Sequence, residues 1–501
     1  MSITVSNTFI MLSILVALFT LYIIYTGAVT IRNLFFHPLH SIPGPKIWIA
    51  FPILRYISHV RGKLDIDVFA LHEQYGEAVR LGPDVVSFAT TQAWKDIYGH
   101  GAPQLPKLLT SSNNRLNIIS ANAVDHSRYR KALSHAFSAK ALQAQEPILQ
   151  MYVDKLILRL KMVAESRLPA DMVKWYNLAT FDLIGDLAFG EPFGGLDSSE
   201  YHHWVSTIFQ SVRFLPWIKL KDAYPLCFKF LALMIPRGRL EARSRQEEHS
   251  RITVQKRLRR VESRGQADFM DSMLRHQNDK DGLSEAELAA NANVLIIAGS
   301  ETTATLLSGL TYWLLRTPDV LDKVIKEVRS TMEKEEDITF HSVSTQLPYL
   351  LACLNEALRM YPPVPTGLER VTPPGGPVTI AGYQIPPQTT VSVHQLASYH
   401  SERHFHDAHR FIPERWLPEF KEDPASPFYH DHRDILQPFS VGPRNCLGKN
   451  LAYSEMRVIM ARMLWNFDLH LCEESATWNE QRSYIVWEKP PLMCQLRERT
   501  R

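Results

Sequence analysis

Cysteine is scarce in this sequence: Cys227, Cys353, Cys446, Cys472 and Cys494 are all there is in 501 residues. The number is odd and no pair has CxxC spacing, which argues against a disulfide framework or a zinc site and for a reducing compartment. Unless its neighbours say otherwise, each is a small buried apolar residue. Charge of one sign is lacking as well, since 55 basic against 52 acidic residues leave a formal net charge of +3. A protein that neutralises many phosphates needs more, so nucleic acid is not an expected partner. Internal repeats, low-complexity stretches and a glycine-rich dinucleotide fingerprint are absent too. What remains is a chain with 45% hydrophobic and 21% charged residues. It is neither disordered nor fibrous, and it is long enough for one large domain or about two to three ordinary ones.

No charged side chain precedes Arg32, and the run from Phe9 to Ile31, FIMLSILVALFTLYIIYTGAVTI, is long enough to cross a hydrocarbon core of about 30 Å as a helix. A secretory signal would want a charged first segment, a shorter apolar run and a small-residue cleavage site. Here the basic residues follow, at Arg32, Lys46, Arg55, Arg61 and Lys63. That order predicts a retained single-pass anchor with its N-terminus in the lumen and the rest of the chain in the cytosol. Pro38 and the Ile42-Pro43-Gly44-Pro45 segment then break any helix. The expected organisation is an anchor over 1–34, a stiff proline-rich hinge over 35–50 and one body over 51–501.

Within that body, residues 79–90 (VRLGPDVVSFAT) read as a hairpin turning at Gly82-Pro83-Asp84. Helical patterns dominate 121–190, with an amphipathic stretch over 146–165, and continue over 200–260. Ser284 and Glu287 form a capping box, and the segment runs to Thr317 before Pro318. The helix is about 50 Å long, apolar on most faces, and must run through a core. Inside it, Ala298-Gly299-Ser300-Glu301-Thr302-Thr303 places a glycine, an acid and hydroxyls where packing alone would ask for leucine. One reading is a bent helix whose Thr302 hydroxyl bonds back to the fourth preceding carbonyl. The other is a site where a flat ligand passes close to the backbone at Gly299 while Glu301 and Thr302 handle protons. Glu356 and Arg359 share a helix face, and Arg415 arriving from a loop would complete a buried network of one acid and two bases. Near the C-terminus, Phe439-Ser440-Val441-Gly442-Pro443-Arg444-Asn445-Cys446-Leu447-Gly448 sets one cysteine in a tight loop ahead of a helical run from Lys449 to Trp465. Free N–H groups and the helix dipole there favour a thiolate, Arg444 can pair with an anion, and Phe439 can shield the sulfur.

That decapeptide resembles the haem-binding loop FxxGxRxCxG of the cytochromes P450 at every specified position. Ala298 to Thr302 is similar to the family's oxygen-activation segment, Glu356-Ala357-Leu358-Arg359 to its ExxR element and Pro413-Glu414-Arg415-Trp416 to its PERF element, in the same order and over essentially the whole chain. The resemblance implies a mainly α fold with a smaller β region, preceded by one N-terminal transmembrane helix. It implies haem b with Cys446 as the axial thiolate and metal ligand. Ala298, Gly299, Phe439, Gly442 and Gly448 would touch the haem, and Arg130, Arg370 and Arg444 would meet its propionates. Many members carry a tryptophan four residues before Arg130; His126 stands there in this chain and shares the helix face of Arg130. Glu301 and Thr302 would be the catalytic proton carriers. Asn293, Ser300, Val364, Thr366, Leu368 and Ile485, with the loop 101–124, would face the substrate.

The reaction so implied is the oxidation of a hydrophobic small molecule by O2. Electrons would come indirectly from NADPH through an NADPH-cytochrome P450 reductase, with cytochrome b5 as a second donor, because the chain has no room for a flavin domain. Arg128, Lys131, Lys449 and Arg457 are expected to meet the acidic surface of that donor, and the endoplasmic reticulum membrane is the expected location. The layout, including the runs HSRYRKALSHAF and EALRMYPPVP, is similar to that of fungal enzymes of secondary metabolism, which leaves terpenoid, polyketide and amino-acid-derived substrates open. Desaturation, ring formation or isomerisation on the same fold is the alternative, followed by a membrane-tethered haem protein without turnover.

Overall fold

The computed structural model describes residues 2–101, 104–108, 110, 115–202, 213–226, 228, 269–274 and 282–499. Helix α1 (Ser2–Ile31) continues through one wider π-helical turn over Arg32–Phe36. From Leu12 to Phe36 it is long and apolar enough to span a bilayer and is not buried against the body. Thr20 and Thr26 donate their hydroxyls to the carbonyls of Val16 and Tyr22, at 2.8 and 2.9 Å, so these two protons need no partner from lipid. The chain then turns, and Leu39 and Ile42 are buried. The proline segment is strapped to the first strand: Arg80 N donates to Pro43 O at 2.8 Å, and Arg80 Nη1 to Asn33 O at 2.9 Å. A Cβ on Gly44 would lie 2.1 Å from the Arg80 carbonyl oxygen, so only glycine lets the two backbones approach so closely.

Strands β1 (Ala78–Gly82) and β2 (Val85–Phe88) form the expected hairpin. Two later strands complete that sheet: β7 (Thr390–Val393) pairs parallel to β2, and β4 (Arg370–Val371) pairs antiparallel to β7. Strands β5 (Val378–Ile380) and β6 (Tyr383–Ile385) make a separate hairpin, as do β9 (Ser483–Tyr484) and β10 (Val486–Trp487). A second sheet sets β11 (Met493–Glu498) between β3 (Ala170–Asp171) and β8 (Phe467–Leu471). The remainder is mostly helical: α2 (Thr91–Tyr98), α3 (Ala123–Ser134), α4 (Ala139–Ser166), α5 (Met172–Phe189), α6 (Leu215–Ala223), α7 (Glu285–Arg316), α8 (Pro318–Thr331), α9 (Pro348–Met360) and α10 (Lys449–Asn466). Most of the 200–260 helical expectation lies outside the described residues, and so does Cys227.

Helix α7 starts at the Ser284–Glu287 capping box and runs through the main core, as its apolar length requires. It packs along α5, which is buried over nearly its whole length. Gly299 serves that packing. A Cβ there would stand 2.7 Å from Ile184 Cδ1 of α5, so the glycine admits the neighbouring helix on that side.

The network at the end of α9 is larger and better balanced than one acid and two bases. Glu356, Arg359 and Arg415 are fully buried. Arg359 grips Glu356 in a fork, Nε to Oε2 at 2.9 Å and Nη2 to Oε1 at 2.6 Å, while Arg415 Nε reaches Oε1 at 3.2 Å. Asp431 supplies the second acid, 2.5 Å from Arg415 Nη1, and Trp416 Nε1 donates to Glu356 Oε2 at 2.8 Å. Burial alone would raise the Glu356 carboxyl, but Arg359 and Arg415 outweigh it and hold it below the usual range. Glu356→Ala leaves two arginines facing one acid. It should cost about 3–5 kcal/mol, seen as a lower urea midpoint by circular dichroism or as no folded protein. Trp416→Phe removes one hydrogen bond and should cost about 1 kcal/mol on the same measurement.

Candidate active site

The cysteine loop is held from three sides. Cys446 N donates to Phe439 O at 2.8 Å, which closes the loop on itself. Gly442 has a φ of 75° and presses on the end of α2, where a Cβ would come within 1.8 Å of Tyr98 O; a side chain is excluded there by both conformation and space. From α3, Arg130 donates Nη1 to Asn445 O at 2.8 Å and Nη2 to Asn445 Oδ1 at 2.6 Å, so its terminal nitrogens are first of all a clamp on the loop. Phe439 packs on Tyr453, ring centres 5.2 Å apart, and Lys449 Nζ lies 5.9 Å over the Phe439 ring. Cys446 is exposed, whereas Cys353 and Cys494 are buried. Burial within the loop pushes its thiol above the ordinary value, against the Gly448 N–H, Arg130 and Lys449, which act to lower it. The Gly448 N–H, Arg130 and Lys449 thus favour the thiolate as expected without outweighing desolvation, and a bound cation would favour it further.

Beside the loop lies a group of bases. His126 and Arg370 are buried, and Arg444 spends Nε on Gln104 Oε1 at 3.0 Å and Nη2 on Ala121 O at 2.9 Å. Its Nη1 is buried without a partner among the described residues. Burial first, then Arg444, Lys107, Arg130 and Arg370, depress His126 to about 4, so it is neutral at physiological pH. Burial, Arg370 and Arg444 likewise bring Lys107 down to about 7. Bases that depress one another in this way suit an anionic ligand. Sequence reasoning missed Lys107, which pairs with Arg370 through an isolated strand bridge and sits in no motif. It also missed Tyr98, whose hydroxyl donates to Leu368 O at 2.7 Å and accepts from Val393 N at 3.1 Å, while Arg370 stacks 5.1 Å over its ring.

On α7, Ala298 is exposed and Thr302 partly so, one turn apart on one face of a helix otherwise deep in the core. Thr302 Oγ1 donates to Ala298 O at 2.7 Å, the back-bond one reading required, and keeps its lone pairs free. The structure does not bring Glu301 to Thr302: the carboxylate turns to Lys489 and Thr305. Ser300 is corrected as a pocket residue, being fully buried with its hydroxyl on Ile296 O at 2.5 Å. Asn293, Val364, Thr366, Leu368 and Ile485 are all half-buried. Among the docking cations, Lys131 and Lys449 are exposed and Arg457 lies 5.2 Å over Tyr453. Arg128 is bound to Glu287 and Asp125, and so is not a free charge.

An open sulfur beside buried bases with an orphaned guanidinium nitrogen fits haem: Cys446 would hold its iron, and Arg444, Arg370, Lys107 and His126 its two carboxylates. A dicarboxylate beside Lys107 raises its pKa from about 7. At about pH 8, reconstitution with haem should therefore take up about one proton more in the wild type than in Lys107→Met. Equal uptake in a potentiometric titration would remove Lys107 from the anion site.

Comparison with known proteins agrees with this geometry. A family model described as cytochrome P450 matches residues 42–496. The chain is 56% identical over 489 residues to the cytochrome P450 monooxygenase olcB of Penicillium canescens, covering 98% of this chain and 99% of the relative. It is 54% identical over 469 residues to a trichothecene C-4 hydroxylase of Trichoderma arundinaceum, covering 94% of each. A trichothecene C-15 hydroxylase of Fusarium sporotrichioides is 42% identical over 476 residues, 93% of this chain and 95% of the relative. With its body matched from end to end, this chain belongs to the cytochrome P450 family of monooxygenases.

Proposed function

We propose that this monooxygenase is anchored in the endoplasmic reticulum membrane, N-terminus lumenal, with anchor 1–34, hinge 35–50 and catalytic body 51–501. It hydroxylates a hydrophobic fungal secondary metabolite, using O2 and electrons that an NADPH-dependent reductase delivers at the face bearing Lys131 and Lys449. The observation that carries the reading is one open cysteine in a loop clamped by Arg130, next to bases for which no carboxylate partner stands among the described residues.

Bound through Cys446, haem supplies the oxygen-activating and electron-transfer chemistry. The chain's own residues do the rest. Arg444, Arg370, Lys107 and His126 would hold the carboxylate edge, and Phe439, packed on Tyr453, lies in the loop that carries the sulfur. The Thr302 hydroxyl, fixed on Ala298 O, has lone pairs free to take a proton and pass it into the cavity. Val364, Leu368 and Ile485 offer apolar contacts that orient a substrate C–H bond. The relatives named as trichothecene hydroxylases make a trichothecene the first substrate to test.

The reduced carbon monoxide difference spectrum is the direct check. The wild type should give the long-wavelength band of a thiolate-bound haem, and Cys446→Ala should lose that band together with turnover. In microsomes containing reductase, Thr302→Ala should consume NADPH while releasing more peroxide and less hydroxylated product. A Cys446→Ala protein with an unchanged spectrum would remove the assignment.

A further inference from the structure

The loop between α2 and α3 lies against α7, and one side chain of that helix takes hold of its backbone. Asn291 is fully buried. Its Oδ1 accepts from Ile118 N at 2.8 Å, and its Nδ2 donates to Leu116 O at 3.2 Å and to Glu287 O at 2.8 Å. The amide thus meets the N–H of one loop residue and the C=O of the residue two before it, offering one acceptor and one donor as a neighbouring strand would. Its third bond, to the carbonyl one turn back on α7, fixes its own direction. On the helix, Asn291, Ala298 and Thr302 stand seven and eleven residues apart, and so on one face. The loop is therefore docked on the face of α7 that opens at Ala298 and Thr302, about 10 Å along the axis from Ala298.

Other groups hold the rest of the loop. Asn117 Oδ1 accepts from Ile119 N and Ser120 N, both at 3.0 Å, and Asn117 O accepts from Ala121 N at 2.9 Å, so 117–121 is a turn closed on itself. Beyond the turn the anchors are bases of the anion site: Lys107 Nζ donates to Ile119 O, and Arg444 Nη2 to Ala121 O at 2.9 Å. The turn hangs between α7 and those bases. Ile118 packs inward on the main core, whereas Ile119 beside it is 53% exposed. Lys107 and Arg444 are also the groups a bound carboxylate would draw on, so Asn291 is an anchor that does not depend on the anion site.

We propose that Asn291 is a positioning residue for substrate selection: its amide sets where the 115–121 turn stands between α7 and the anion site, and so which shapes of hydrophobic molecule reach the reacting centre. Asn291 acts through the turn and not by touching the substrate, and Ile119 is the side chain the turn presents. Serine at 291 is too short to reach either loop group, and an apolar side chain supplies no partner to Ile118 N and Leu116 O. The inference rests on the haem-thiolate reading of the site.

The test uses the full chain in nanodiscs with haem bound. Hydrogen exchange of the 115–121 segment, read by mass spectrometry, should be slow in the wild type and several-fold faster in Asn291→Ser, with exchange across α9 and the carbon monoxide band unchanged. Two azoles that bind iron through a ring nitrogen then separate shape from access. Imidazole should bind Asn291→Ser as tightly as the wild type, and the bulky clotrimazole several-fold more weakly. A merely structural role weakens both azoles alike or neither, and either result overturns the proposal, as does unchanged exchange in the variant. Should Asn291→Ser fail to fold, Ile119→Ala, at an exposed position, decides together with the wild-type exchange. Weaker clotrimazole and unaltered imidazole binding by Ile119→Ala, with a slow wild-type segment, support the proposal. Unaltered clotrimazole binding, or a wild-type segment exchanging as fast as an unstructured peptide, is fatal to it. Failure of the underlying reading looks different: the wild type itself would lack the long-wavelength carbon monoxide band.

Discussion

The four-residue charge network of Glu356, Arg359, Arg415 and Asp431 is the constraint on which the cysteine loop depends. Burying one acid between two arginines is tolerable only because Asp431 balances the second. The remaining donors do structural work. Arg359 Nη1 donates to Tyr399 O at 2.9 Å, and the Tyr399 hydroxyl accepts from Gln437 N at 3.0 Å. Gln437 O accepts from Ser440 N at 2.9 Å, and Phe439 O from Cys446 N at 2.8 Å. Hydrogen bonds and the short covalent segments between them thus connect the ion pair on α9 to the backbone of the cysteine.

Two electrostatic environments lie beside α7 and the cysteine loop. Around Arg444 the protein gathers bases that depress one another, an arrangement stable only at a cost and suited to an anionic ligand. Around Glu301 the reverse holds, because the lone acid is neutralised within the chain by Lys489. The anionic partner of the first is to come from outside; the cationic partner of the second is built in.

Much of this was legible before folding. The capping box at Ser284 and the apolar length of α7, the hairpin at Gly82, the uncharged N-terminal run and the cysteine decapeptide all depend on residues within a turn or two of one another. Composition also shows the deficit of cysteine and of net charge. The side-chain partners were far less legible. Gly299 has a spacing that fits a ligand or a neighbouring helix, and only the tertiary structure shows Ile184 standing where its Cβ would be. Ser300 and Thr302 have similar chemistry two residues apart, yet helical rotation buries one and opens the other.

The sequence by itself determined the elements, the order of the motifs and the one cysteine with unusual neighbours, because these follow from short-range hydrogen bonding and periodicity. Only the tertiary structure decided who meets whom. Lys489 finds Glu301 across 188 positions and Arg130 finds Asn445 across 315, while Lys107 joins Arg370 through a single bridge. Coulomb energy and desolvation depend on distance and enclosure in space, and neither is a function of spacing along the chain.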